Sequence, residues 1–534
     1  MFGVALGANL QTLDTTMAAV ALTRMQGALS ASHHEITWVL TAYLIGVAIV
    51  MPLIGILINR FGRKHLYLTA LVGFSAAAMG AGMSDSLIEL VLFRFLQGLF
   101  SATFVPVAQS FIFDAFRAEE QGQAIGLLAL GTMSGTMIGP ALGGYVSEFH
   151  SWRWIFYLDV PIAILSFAII HRLAPKRLER PPVQPLGLFG FMILTVGLVA
   201  LQFVLSRGGQ MDWFASSGII TAAGLVVVTF YLFAVHTAIS TRPFIDPDIF
   251  KNRNFSIGLV LILFLGAHWL VYLTLLSPYL QTLADYSVIS TGLALVPQGA
   301  AYAAGSYVAG HLCNRFNPSH LVIAGFCAVG WANWQMSFFT PNFSQDVFYL
   351  VAVIHGLGLG FIFVPLTITT FSTLPTRHKD VGTGLFSLLR NFGSSLGASL
   401  AVTHLVRQIQ SNHAALGTYV TPYNEAMRHV SLPKGWNLGD PSGLANLDLE
   451  VTRQAVILAY ASDFRWLAAS TGIAIVAALF VRMPRRLGAA IIEETSTGNG
   501  SSNVLHLPQR AYQSESAKTI RFGMIRSSTS SRRG

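Results

Sequence analysis

Charge is what this sequence has least of. Of its 534 residues only 11% are Asp, Glu, Lys or Arg, against roughly 25% in a soluble domain. Beside a hydrophobic share of 53%, that shortage excludes water as the only solvent of the folded chain. Cysteine is nearly absent: Cys313 and Cys327 are the two, and two isolated thiols give no footing for a disulfide framework or a thiolate metal site. No Gly-x-x-x-x-Gly-Lys-[Ser/Thr] run occurs, so nothing in the chain is patterned to cradle nucleotide phosphates. The net charge of +9 comes without a basic stripe interleaved with aromatics, and nucleic acid is not an expected partner.

What the chain has instead is long apolar runs. Cutting at turn residues and charge clusters leaves about fourteen stretches, near 2–22, 36–58, 66–84, 88–113, 122–147, 155–173, 186–206, 216–236, 255–277, 290–310, 320–339, 347–372, 383–405 and 463–482. Each has the length that one bilayer crossing requires, so the lipid bilayer is the expected partner and the expected fold an all-α membrane protein. The first stretch lacks a basic leader and a small-residue cleavage site, and reads as a span rather than a signal peptide. With the N-terminus inside, the inner connections carry Arg60, Arg63, Lys64, Arg117, Arg172, Lys176, Arg177, Arg180, Arg242, Lys251, Arg253, Arg315, Arg377 and Lys379, whereas the short outer ones carry Arg24, Arg153 and Arg207. The positive-inside rule therefore predicts both termini in the cytoplasm, and the surplus of cations is a consequence of topology.

The runs also repeat. The segment 55–61, with Gly55, Asn59, Arg60 and Phe61, returns as Gly310, Asn314, Arg315 and Phe316, 255 positions on. Gly126, Gly135 and Gly139 return as Gly384, Gly393 and Gly397, 258 positions on, and Phe104, Val105 and Pro106 as Phe363, Val364 and Pro365. These echoes map spans 2, 4 and 5 onto 10, 12 and 13. They predict an N-terminal six-helix bundle over 1–174, two inserted helices with their linkers over 175–254, and a C-terminal six-helix bundle over 255–482 that includes a long outer loop at 406–462 with a candidate helix at 444–460. Residues 483–534 are Ser-, Thr- and Arg-rich and read as a disordered tail. Two parallel repeats in a membrane are the build of a secondary transporter, whose halves rock about a central site.

Few residues in the spans carry chemistry. Gly135, Gly139 and Gly143 recur every four residues, a bare helix face that permits close backbone approach, and Pro140 removes one internal hydrogen bond. That face serves as a pivot or as ordinary small-residue packing. Asp14 and Arg94 are charges inside spans, where ionised groups are costly and face a cavity or a partner. They form either a proton-coupling pair or a structural ion pair. Arg390 faces the cavity in the second half or snorkels to the inner surface. His268, His355 and His404 lie in apolar spans and read as hydrogen-bonded core histidines.

Together these residues resemble the major facilitator superfamily. Gly135, Gly139, Pro140, Gly143 and Gly144 resemble its antiporter motif. Gly55, Asn59, Arg60, Gly62, Arg63 and Lys64 resemble its loop 2–3 signature, and Leu90, Arg94, Gln97 and Gly98 its fourth-span motif. Leu13, Asp14, Thr15 and Thr16, followed by Val20, Ala21 and Leu22, resemble the first span of the fourteen-span drug:proton antiporters, in their EmrB-like form. Trp152, Arg153, Trp154, Ile155, Phe156 and Pro161 match that subfamily as well.

The resemblance implies two six-helix bundles plus two extra helices in a bacterial inner membrane. It also implies no cofactor, a proton gradient as the energy source, and export of amphipathic or cationic toxic compounds by alternating access. Proton coupling or substrate recognition is implied for Asp14, and coupling for Arg94. A periplasmic adaptor protein and an outer-membrane channel are implied partners, with 406–462 as the expected contact. Two departures stand out. Asn59 occupies a position where the signature has Asp, which leaves Arg60 or Arg63 to pair with Asp114, and Asp159 stands where Asn is expected. A transporter of a defined metabolite or siderophore remains an alternative. A membrane-embedded enzyme would need a carboxylate or histidine cluster near one interface, and the spans offer scattered ones.

Overall fold

Turn chemistry between the apolar runs decides where each helix begins and ends. The computed structural model describes residues 2–173, 187–240, 243–421, 423–424 and 440–481. The linker at 174–186 and the expected tail at 483–534 lie outside the described residues. Fourteen long helices follow one another: α1 Phe2–Ala28, α2 Trp38–Phe61, α3 Arg63–Met83, α4 Leu87–Ala115, α5 Ala118–Phe149, α6 Arg153–Leu173, α7 Leu188–Arg207, α8 Ser217–Ile239, α9 Arg253–Thr282, α10 Val288–Leu312, α11 Pro318–Met336, α12 Gln345–Ser372, α13 Thr376–Gly417 and α14 Pro441–Leu479. Among the described residues there is no strand. Pro52 tightens α2 into a 3-10 turn at Met51–Leu53, and α4 loosens at Ala102 and Thr103, just ahead of Pro106, because proline cannot donate to the preceding turn.

The breaks are capped. Ser86, Asn252, Ser287 and Asn317 each accept a backbone N–H at the start of α4, α9, α10 and α11, each cap contributing about 1 kcal/mol. Between α2 and α3 the chain reverses through Gly62 at φ 78°, ψ 150°, a conformation that a side chain would strain.

Among the described residues nine helices, α2 to α9 and α12, are long and apolar enough to cross a membrane on length and composition. That is fewer than the fourteen crossings expected. The other five are long but carry more polar residues and glycine; α1, for example, holds Asn9, Gln11, Thr12, Asp14, Thr15 and Thr16.

The helix pairs display the repeat directly. Contacts α1–α5, α1–α6, α2–α4, α3–α4 and α3–α6 in the first half recur as α9–α13, α9–α14, α10–α12, α11–α12 and α11–α14 in the second. The halves meet through α5 against α10 and α2 against α13, two contacts that a shift of eight helices exchanges. The expected two six-helix bundles are thus present. The inserted helices α7 and α8 form a hairpin, and α7 leans on α2 and α13. Gln202 Nε2 donates to Ser395 Oγ at 3.1 Å, and Trp213 Nε1 to Thr403 Oγ1 at 2.7 Å.

The described residues of the segment 406–462, expected as an outer loop with a helix at 444–460, are mostly helical, and the helix begins earlier than expected, at Pro441. No proline or paired glycine interrupts α13 before Gly417, and Pro441 supplies the favoured first residue of α14. At 42 and 39 residues, and about 1.5 Å per residue, both helices outrun a hydrocarbon core of about 30 Å. The end of α13 and the start of α14 run antiparallel, with Asn412 Nδ2 donating to Ala455 O at 3.3 Å and His413 beside Asp448 at 3.0 Å.

Candidate functional site

Helix association in lipid rests on close packing and interhelical hydrogen bonds, and both converge on α1. A Cβ placed on Gly135 would sit 2.4 Å from Thr12 Oγ1 and 2.8 Å from Leu13 N; one on Gly139 would sit 1.9 Å from Thr16 Oγ1, and one on Gly143 2.8 Å from Met17 Cα. The bare face of α5 therefore seats α1. Pro140 interrupts the α5 ladder within this stretch, and Gly144 O accepts from Ser147 Oγ at 3.1 Å. Asn9 Nδ2 donates to Gly131 O at 2.8 Å and to Ser134 Oγ at 2.7 Å, and Thr12 Oγ1 to Thr132 O at 2.6 Å.

With α1 so fixed, its opposite face carries Asp14 into the N-terminal bundle. Arg94, from α4, donates through Nη1 to both Asp14 oxygens at 2.8 and 2.7 Å, and to Gln97 Oε1 at 3.0 Å. Its Nε reaches Val39 O at 3.3 Å. The guanidinium lies 4.5 Å from the Tyr43 ring and 5.6 Å from the Phe156 ring, within range of cation–π attraction. Both side chains of the Asp14–Arg94 pair are 0% exposed. Asp159, on α6, is also fully buried, within hydrogen-bonding reach of Asp14, and neither of its oxygens has a donor. The two residues that sequence reasoning singled out are thus brought together, and a third charge whose place was unexplained joins them.

The second bundle has a twin of this centre built from different residues. Ala267 lies against Gly397 as Leu13 lies against Gly139, so His268 takes the position of Asp14. His355 lies 258 positions beyond Gln97. His268 and His355 are buried and close enough to interact electrostatically. Ser470 Oγ is 3.2 Å from His268 Nε2, and the Tyr272 ring stacks on His355 at 4.2 Å. Read singly, each had looked like a core histidine; what aligns the pair with Asp14 and Gln97 is the matching glycine packing of the two halves, in which Gly98 lies on Tyr43 O as Gly356 lies on Gln298 O. His404 is not isolated either, since its Nδ1 pairs with Asp463 of α14.

At the end of the bundles where α2 meets α3 the halves are latched. Arg63 pairs with Asp114 at the end of α4, as the departure at Asn59 suggested, and reaches across to α13, where Nη2 contacts Asp380 Oδ1 at 2.9 Å. Ser110 donates to the same Asp380 oxygen. Asp380 was missed, because only topology brings it near the loop. Arg60 is exposed, its head 5.8 Å from the Phe61 ring; Asn59 is half-buried; and Lys64 Nζ donates to His171 O at 2.8 Å. The glycine echoes fall at this closure: a Cβ on Gly55 would lie 2.6 Å from Val381 Cα, and one on Gly310 2.5 Å from Gly122 O. Phe113 and Phe371 meet at 4.8 Å, and this end is shut.

Arg390 stands on α13 facing Tyr302 of α10. It is 14 residues from the start of α13, about 21 Å by helical rise, which places it well inside the helix and not at the inner surface. No ion pair holds it among the described residues. Among those residues, likewise, no three His, Cys, Asp or Glu gather as a metal site.

Two parallel six-helix bundles, latched at one end around buried charges, define a secondary transporter. The chain belongs to the Major Facilitator Superfamily, whose family model matches residues 4–398. It is 28% identical over 488 residues to the multidrug export protein EmrB of Escherichia coli strain K12, covering 90% of this chain and 94% of that protein. It is 31% identical over 457 residues to the fatty acid resistance protein FarB of Neisseria gonorrhoeae, covering 84% and 89%. Among solved structures it resembles the human organic anion transporter MFSD10 with a TM-score of 0.57, over 89% of this chain and 98% of that one. Identity there is 13%, so that likeness concerns the fold alone.

Proposed function

We propose that the protein is a proton-coupled exporter of amphipathic toxic compounds, exchanging cargo for protons by alternating access across a bacterial inner membrane, with both termini in the cytoplasm. The observation that carries this is the buried Asp14–Arg94 pair, with Asp14 on the face of α1 opposite the one that α5 grips. A carboxylate held in a dry bundle is a place where a proton can ride, and arginine keeps its own charge throughout the cycle. An apolar groove of about 590 Å³ between α1, α5 and α6, lined in part by Leu6, Leu13 and Ile138, suits cargo that partitions into lipid. Resemblance to the EmrB-type exporters supports multidrug export, with a periplasmic adaptor and an outer-membrane channel as partners. Arg390, a deep cation with no counter-ion among the described residues, extends the cargo range to amphipathic carboxylates.

The test is efflux of ethidium and of a long-chain fatty acid from proteoliposomes under an imposed pH gradient. Wild type accelerates efflux when the gradient is present and Asp14→Asn does not, at equal protein incorporation. Unchanged gradient-driven export by Asp14→Asn would remove this site from the mechanism.

A further inference from the structure

Asp159 occupies a position that no role covers. Its carboxyl is fully buried, both oxygens are without a hydrogen-bond donor, and it stands one turn along α6 from Phe156, whose ring is 5.6 Å from the Arg94 guanidinium, beside Asp14. Two carboxyl groups that face one another are both acceptors unless one carries hydrogen. The charges around them can be counted element by element. α1 contributes Asp14, α4 contributes Arg94, and α2 contributes the Tyr43 ring and hydroxyl. The described ionisable groups of α3 and α5 lie toward their ends: Arg63, Lys64, His65 and Tyr67 on α3, and Glu119, Glu120, Tyr145 and Glu148 on α5. Arg153, at the outer end of α6, is engaged with Ser84 O and Asp85. Two carboxylates against one guanidinium leave a surplus negative charge in a site shut off from water, and like carboxylates in contact cannot both ionise cheaply. One proton makes the cluster neutral.

We propose that Asp14 and Asp159 hold a single proton between them, so that the proton-carrying site is this carboxyl pair and Asp159 is its second member. This rests on the reading of Asp14 as the coupling acid. On binding, one O–H bond forms on one carboxyl and is shared by hydrogen bond with the other. On release the proton leaves, the surplus negative charge returns, and Arg94 stabilises it. α4 and α6 begin at the outer side in the proposed topology. Arg94 is seven residues and Asp159 six residues from those ends, about 10 Å in, so the shared proton lies nearer the outer face, where exchange for an exported solute requires it.

Infrared spectra of the purified protein in H2O and D2O test this without any cargo. Wild type is expected to show a neutral-carboxyl carbonyl band that shifts on deuteration. Asp159→Asn loses it, because Asp14 alone balances Arg94. Asp14→Asn loses it too, because Asp159 then balances Arg94. A band that persists in Asp14→Asn would make Asp159 an isolated neutral acid and overturn the sharing, as would a wild type whose spectrum matches both variants. If Asp159→Asn does not fold, Asp159→Glu is expected to keep the band at a shifted frequency, and its absence there would also overturn the proposal. The proteoliposome assay reads the coupling reaction separately: a shared proton in a protein indifferent to the pH gradient would sink the proposed function and leave the pair standing.

Discussion

Arg94 bears the heaviest load of any single side chain. Its guanidinium joins α1 through Asp14, α2 through Val39 O and the Tyr43 ring, and α6 through the Phe156 ring. Lysine carries the same charge but no planar fork, so it cannot serve Asp14, Gln97 and the carbonyl together. Arg94→Ala leaves two buried carboxyl groups with no cation, at a cost of about 3–5 kcal/mol for the orphaned charge. Thermal unfolding in detergent is expected to rank wild type above Arg94→Lys and Arg94→Lys above Arg94→Ala. Gradient-driven efflux is expected to fall at least tenfold in both variants. Lysine behaving as wild type in both measurements would mean that charge alone matters here and the fork geometry does not.

At the scale of elements, the helices were legible in the sequence because a crossing is a composition, and composition needs no partner. The repeat was legible for a similar reason: Gly55 and Gly310 hold the same place at two equivalent closures and so were retained as the same residue. What could not be read were distant pairs in which one member carries no motif and no charge inside a span to mark it. Arg63 and Asp380 are 317 positions apart, and in the second bundle histidines stand where an acid and a glutamine stand in the first. Asp159 was visible as a departure, yet its neighbour lay on a helix that no local pattern connects to it. The far end of α13 was missed because a polar helix beyond the bilayer has no apolar run to announce it, whereas the helix expected at 444–460 falls within α14. That antiparallel pair is the element exposed to a partner in the proposed topology. Shortening it between Asn412 and Ala455, with a tight turn joining the two helices, is expected to leave efflux from proteoliposomes within about twofold of wild type. It is also expected to abolish co-purification with a periplasmic adaptor protein. Adaptor capture undiminished by the deletion would move the docking site elsewhere.

For the whole molecule, alternating access asks that the closed inner end be stable enough to form and weak enough to open. The closure combines backbone contact at Gly55 and Gly310, the Phe113–Phe371 contact, and one ion pair that crosses between the halves, Arg63 to Asp380. Both members of that pair are only 11% exposed, so it is screened less than a surface pair. Asp380→Asn removes the charge and keeps the shape. Arg63 retains Asp114 and is not orphaned, so the loss is modest, about 1–2 kcal/mol, which is roughly a tenfold shift in the population of the closed state. Spin labels on the exposed inner positions 61 and 376, in a background free of Cys313 and Cys327, report that population as a distance. The wild type is expected to favour the short separation, and Asp380→Asn is expected to gain a long one as the inner ends part. Since the bundle interiors are untouched, the Asp14–Arg94 centre should still bind its proton while turnover falls, because the cycle now stalls in the inward-open state. A distance distribution unchanged by Asp380→Asn would show that backbone packing alone holds the inner end shut, and that the cross-bundle charge has no part in timing the cycle.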